Sequence, residues 1–170
     1  QSGYWSVARN RIIERQLRHS RGESILEIGC GRGVVVDYLV HQGYDCWGCD
    51  LADARPISST VEPRLYLSQD AFDLETSFRQ KVTSVLLLDV LEHLSDPRDL
   101  VERIVGSFAS LRRLVITVPG RRELWSNFDE FYGHLRRYDR QTAVSELVGP
   151  RFNVHSCAYF FHALYFAGLP

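Results

Sequence analysis

Ser24-Ile25-Leu26-Glu27-Ile28-Gly29-Cys30-Gly31-Arg32-Gly33 runs from an apolar segment, with one acid near its end, into three glycines at alternate positions. Val34-Val35-Val36-Asp37-Tyr38-Leu39-Val40 follows directly. The order reads as a buried strand, a tight turn and the start of a helix. Glycine permits positive φ and lets backbone approach a ligand closely. A helix N-terminus adds unpaired N–H groups and partial positive charge. A polar or anionic group is expected here.

Outward from that turn, strands and helices alternate. Upstream, Tyr4–Leu17 reads as an amphipathic helix with Val7, Ile12, Ile13 and Leu17 on one face. Downstream, Gly43 closes the helix and a second strand ends at Asp50. Leu51 to Pro63 is irregular, and a third strand covers Arg64 to Ser68. Ser84-Val85-Leu86-Leu87-Leu88-Asp89 is a fourth strand whose continuous apolar run requires cover on both faces. A helix is expected from Arg98 to about Ser110, and a fifth strand over Leu114–Val118. Arg121 to Arg140 has no clean period, Gln141–Val148 reads as helix, and Phe152–Phe160 as a sixth strand. The apolar stretch after Phe160 offers Phe160, Phe161, Tyr165 and Phe166 as core residues.

This alternation predicts an α/β fold: a doubly wound, mostly parallel sheet with helices on both faces, lacking a final antiparallel strand. Ligands of such sheets bind beyond the strand C-termini, which singles out Gly29–Gly33, Asp50, Gln69-Asp70, Asp89-Val90 and Pro119-Gly120. One domain over residues 1–170, with an acceptor-side insert at about 120–140, is expected.

With 45% hydrophobic and 24% charged residues the chain resembles ordinary globular proteins. A net charge of -1 gives no electrostatic case for nucleic acid or an acidic membrane. No apolar run is long enough to span a bilayer, and a cytoplasmic protein is expected. Cys46 and Cys49 have a metal or redox spacing, but on a strand they face opposite ways and no second pair exists. They are read as core cysteines, and no metal is expected. The chain contains no Met, so either a trimmed fragment or methionine positions missing from the sequence are expected.

Two cofactors compete for the turn. A dinucleotide loop needs Gly-x-Gly-x-x-Gly, whereas the third glycine position holds Val34, and Glu27 would face a pyrophosphate. Asp50, at a strand end, suits a ribose in either cofactor. Leu26–Gly33 resembles motif I of class I S-adenosylmethionine-dependent methyltransferases, and the resemblance continues through Gly48-Cys49-Asp50-Leu51, Gln69-Asp70-Ala71 and Leu88-Asp89-Val90-Leu91-Glu92-His93-Leu94. It is similar to bacterial small-molecule methyltransferases of the ubiquinone and menaquinone type.

The resemblance implies a Rossmann-like fold, S-adenosyl-L-methionine as cofactor and S-adenosyl-L-homocysteine as product. It places Glu27 and the backbone of Gly29 and Gly31 at the cofactor's amino-acid end, with Cys30 and Gly33 completing the turn. Asp50 would take the ribose hydroxyls and Leu51 would pack on the adenine. Asp70 and the Ala71 backbone would meet the adenine amino edge, and Asp89 and Val90 would line the methionine side. Arg9 or Arg11 would pair with the cofactor carboxylate.

Transfer from a sulfonium needs alignment, desolvation and, for hydroxyl acceptors, a base. Trp125-x-x-x-Asp129 followed by Gly133-His134-Leu135-Arg136-Arg137-Tyr138 resembles the same subgroup. His134 is the candidate base, because an ordinary imidazole titrates near neutrality. His93 beside Glu92 reads as structural about as readily as catalytic. Arg136, Arg137 and Tyr138 would bind an anionic acceptor or pin the insert through Asp129 and Glu130. The acceptor is expected to be a small molecule, hydrophobic or anionic (quinone-, lipid- or glycan-linked), methylated on oxygen before nitrogen or carbon. The alternatives are an NAD-dependent oxidoreductase and a catalytically idle cofactor-binding protein.

Overall fold

The computed structural model describes residues 4–147 and 152–161. These fall into two compact units: residues up to Leu88 with Val105–Ile116, and Asp89–Ile104 with the chain from Thr117 onward. Tyr165, Phe166 and Val148 lie outside the described residues.

The first unit opens with α1 (Tyr4–Leu17) and β1 (Ser24–Ile28), then α2 (Val34–His41), β2 (Asp45–Asp50), β3 (Leu65–Leu67), the short α3 (Thr76–Arg79) and β4 (Val82–Leu88). After α4 (Pro97–Ser107) comes β5 (Arg113–Thr117). The sheet is all-parallel in the order β3-β2-β1-β4-β5. β1 is central, and Ile25, Leu26, Ile28 and their neighbours pair with β2 on one side and β4 on the other. A strand paired on both edges and covered on both faces is expected to be largely apolar. Ile25, Leu26 and the run Val85–Leu88 are accordingly buried.

Three adjacent valines are poor helix formers, so α2 depends on packing more than on propensity. Its inner face, Val35, Val36 and Leu39, joins Ile13 and Leu17 of α1 and Ile25, Cys46 and Leu86 of the sheet in one core cluster. The Tyr38 hydroxyl donates to Glu14 at 2.7 Å and ties α1 to α2. Gly33 starts the helix with φ 78°, and Gly43 ends it with φ 84°. Cys46 and Cys49 do point to opposite faces, yet both are buried because both faces are covered. All four cysteines are free thiols.

The second unit carries α5 (Asn127–Phe131) and α6 (Arg140–Leu147). The aperiodic text before Arg140 thus hides one short helix, started by a capping box in which Ser126 and Asp129 bind each other's backbone N–H groups. The α4 helix stops at Ser107 rather than Ser110. The sixth strand expected over Phe152–Phe160 does not form. That segment is held by side chains instead of a ladder: the Arg140 N–H donates to the Tyr159 hydroxyl at 3.2 Å, and the Arg121 guanidinium lies 4.2 Å from the Tyr159 ring centroid. Phe160 and Phe161 pack edge to face on each other and are half-buried rather than core.

Candidate functional site

In the first unit the glycine turn adopts positive φ at Gly29 (80°), Gly31 (52°) and Gly33 (78°). Four of its five amide groups are engaged within the fold. Gly29 N–H and Cys30 N–H donate to Cys49 O at 2.8 and 3.2 Å, and Gly33 N–H to Cys30 O at 2.9 Å. Gly31 N–H donates to Asp50 Oδ2 at 2.6 Å. The Asp50 carboxylate also receives Ala52 N–H on Oδ1, 2.8 Å away. A phosphate-binding turn needs these N–H groups directed at the ligand. Here those of Gly29, Cys30, Gly31 and Gly33 are committed, so they are not offered to a pyrophosphate. A cationic ammonium needs acceptors, and the turn is flanked by the buried Glu27 carboxylate and Asp50.

The sheet order brings the remaining strand-end residues of this unit to the same edge. Leu51, just past β2, is 76% exposed, an apolar surface held out with no core to fill. Beyond β3, Asp70 accepts Phe72 N–H at 3.0 Å, while Ala71 is buried. A Cβ placed on Gly31 would meet no atom within 4 Å, so the turn faces open space. Gly48 is the opposite: a Cβ there would stand 2.7 Å from Cys30 Sγ and 2.8 Å from Leu65 Cδ2. The glycine at 48 lets Cys30 pack under the turn. Burial first, and then Glu27 and Asp50, push the Cys30 thiol up; burial and Asp70 push Cys49 up to about 12. These thiols are packing groups, not nucleophiles. Arg9 is half-buried on α1. These features fit a zwitterionic, nucleoside-bearing cofactor.

In the second unit Asp89 sits at φ 56°, its N–H on Thr117 O and its Oδ1 accepting the Thr117 hydroxyl, both at 2.9 Å. Val90 is half-buried beside it. Asp129, 1% exposed, is the hub of the stretch Gly120–Tyr138. His134 Nδ1 lies 2.9 Å from its Oδ1, Arg137 Nε donates to the same oxygen at 2.8 Å, and Ser126 N–H to Oδ2 at 2.9 Å. Burial pushes this carboxyl up, but the bonds from Arg137, His134 and Ser126 outweigh it and hold the pKa at about 2. Asp129 is therefore an anion at any working pH. It fixes the His134 ring with Nδ1 as donor and leaves Nε2 a lone pair.

The basic residues after His134 are held internally. Arg137 also donates to Gly120 O at 3.2 Å, and Arg136 to Leu94 O and Ser95 O at 3.2 and 3.0 Å. Tyr138 is 1% exposed. Of the two readings of this run, pinning is the one the contacts express. By contrast Trp125, Phe128, Phe131, Tyr132 and Leu135 are exposed. His93, read from sequence as structural or catalytic, packs edge to face on His134 with ring centroids 4.9 Å apart. Glu92, His93 and His134 each offer one ligand atom, all within 4.8 Å of one another. That grouping joins distant stretches of chain and has no local spacing by which sequence could reveal it.

A family model described as methyltransferase domain matches residues 4–149. Curated relatives include ubiquinone biosynthesis O-methyltransferases. That of Salmonella paratyphi A is 25% identical over 47% of this chain and 36% of the relative. That of Hydrogenovibrio crunogenus is 28% identical over 51% and 39%, respectively. The matched stretch thus spans well under half of these relatives. Among solved structures, the methyltransferase domain of bacterial-CtHen1-CN superposes with a TM-score of 0.60 at 16% identity, covering 81% of this chain and 79% of that one. A SAM-dependent methyltransferase from Archaeoglobus fulgidus gives 0.50 at 23% identity, covering 78% and 64%. These two likenesses show the fold. With the family match across most of its length, the chain belongs to the methyltransferase domain family, class I enzymes whose cofactor is S-adenosyl-L-methionine.

Proposed function

We propose that the chain directs methyl transfer from S-adenosyl-L-methionine to an oxygen of a hydrophobic small molecule. The observation that carries this reading is the glycine turn, whose Gly29, Cys30, Gly31 and Gly33 N–H groups are engaged internally while carboxylates flank it. When bound, the cofactor supplies a methyl group on a sulfonium, a leaving group that needs no acid.

Glu27 and the carbonyls of Gly29 and Gly31 receive the ammonium, with Cys30 and Gly33 shaping the turn and Arg9 meeting the carboxylate. Asp50 takes the ribose hydroxyls, Leu51 covers one adenine face, and Asp70 and Ala71 read its edge. Asp89 and Val90 line the methionine side. His134 accepts the acceptor hydroxyl's proton on Nε2, and Asp129 stabilises the imidazolium that results, as a buried carboxylate does for a catalytic histidine.

Exposed aromatic side chains in the stretch after Gly120 favour a hydrophobic acceptor, and the internal engagement of Arg136 and Arg137 disfavours an anionic one. Relatives named for ubiquinone biosynthesis make a quinone-like phenol the first acceptor to assay. A cytoplasmic setting belongs to the same reading, since all four cysteines are free thiols. No described helix is long and apolar enough to cross a membrane. Calorimetry tests the cofactor half of this reading: S-adenosylhomocysteine should bind and NADH should not. Binding of NADH alone would overturn it. The acceptor half is tested by label transfer from methyl-labelled cofactor to phenolic acceptors.

A further inference from the structure

We propose that Glu92, His93 and His134 form a binding site for a divalent first-row transition ion. The proposal rests on the reading of the second unit as the acceptor side and adds a cation to it.

Three observations converge. First, one potential ligand atom from each of the three residues lies within 4.8 Å of the other two, the spread that a single ion can bridge with modest side-chain adjustment. Second, both rings have the tautomer a metal requires. His93 Nδ1 lies 3.2 Å from Gly133 O and His134 Nδ1 lies 2.9 Å from Asp129 Oδ1. Each acceptor demands a proton on Nδ1, which leaves Nε2 of the neutral ring as the nitrogen that can ligate. A carboxylate behind a ligating imidazole is the usual support of a metal-bound histidine. Third, the backbone holds the two contributing stretches together: Leu135 N–H donates to Glu92 O at 2.8 Å, and the rings of His93 and His134 meet edge to face. Glu92 itself is 1% exposed, so its carboxylate is delivered by a rigid segment rather than a surface rotamer.

Two imidazoles and one carboxylate favour manganese to zinc over magnesium or calcium, which prefer all-oxygen sets. Three protein ligands leave positions for water or an acceptor oxygen. A hydroxyl coordinated there is acidified and releases its proton to water, keeping its electron pair on oxygen. With the ion bound, His134 Nε2 is a ligand, and the ion takes over the acidifying role given above to the free ring.

The test uses the chelator-stripped chain titrated with Mn2+ by electron paramagnetic resonance and with Co2+ by visible absorption. One ion per chain is expected, with the Co2+ bands of a nitrogen-containing site. Glu92→Gln and His93→Asn should each weaken it by about tenfold or more, the range for losing a ligand or its support. S-adenosylhomocysteine calorimetry on the same samples separates the two readings. Cofactor affinity kept within about threefold, together with weakened ion binding, supports the site. Ion binding unchanged in both variants, or absent at about 1 mM in the parent, overturns it while leaving the cofactor reading intact. Failure to bind S-adenosylhomocysteine despite normal ion binding overturns the cofactor reading instead.

Discussion

Asp129 and His134 are joined twice: the His134 ring nitrogen Nδ1 lies 2.9 Å from Asp129 Oδ1, and the His134 backbone N–H donates to Asp129 O at 2.8 Å. Rotating the ring or moving its proton from Nδ1 breaks the side-chain bond, while the backbone bond keeps the two residues together. Such double attachment holds the ring in one orientation and ties its position to the buried Asp129.

The first expectation concerns His134 itself. His134→Ala should lower turnover on the acceptor by about 100-fold or more, while S-adenosylhomocysteine affinity changes little. A titration calorimeter and a methyl-transfer assay on the same preparation decide it. Equal turnover in the variant would remove His134 from the chemistry.

Asp129 gives a pH expectation. Its folded pKa of about 2 lies below the ordinary value of 3.8. A carboxylate held low in this way stabilises the fold fully above about pH 4, and that contribution is lost as pH falls toward 2. The amount is about 2 kcal/mol. Urea unfolding between pH 2 and 6 should show this slope, and Asp129→Asn should flatten it while lowering stability at neutral pH.

Leu51 separates binding from stability. It is 76% exposed, so Leu51→Ser should leave the melting temperature unchanged within experimental error. The same substitution should weaken S-adenosylhomocysteine by about tenfold, as expected for removing an apolar contact from a ring face. A fall in melting temperature without a change in affinity would assign Leu51 to packing.

Gly48→Ala tests the support beneath the turn. The added methyl would lie 2.7 Å from Cys30 Sγ and 2.8 Å from Leu65 Cδ2, too close for either to remain in place. Overpacking of this kind costs about 1–3 kcal/mol. The urea midpoint should fall at constant slope, and cofactor affinity should fall with it because Cys30 lies within the turn.

Much of this arrangement is legible in the chain because it is written locally. Strand, three glycines and helix follow one another, and positive φ at Gly29, Gly31 and Gly33 is what alternate glycines imply. Asp50 and Asp70 are legible for a related reason: parallel strands bring successive C-termini to one edge. Less local features are harder to see. The turn's N–H groups suggest an anion site until Cys49 O and Asp50 Oδ2 are found to accept them. The meeting of His93 with His134 depends on how two remote segments fold back. Phe152–Phe160 has strand-like alternation, but alternation cannot reveal whether a neighbouring strand exists to pair with. There the Tyr159 ring and hydroxyl bind Arg121 and Arg140, and the backbone forms no ladder.

The turn from Gly29 to Gly33 is held by the end of β2, through Cys49 O and Asp50 Oδ2, and by one bond of its own from Gly33 N–H to Cys30 O. A loop that must fold around its ligand surrenders part of the binding energy to ordering, and its affinity becomes sensitive to every change in loop flexibility. This one is a mould rather than a hinge. If it holds the cofactor as proposed, a turn braced in this way would let product leave and fresh cofactor enter without the segment being rebuilt.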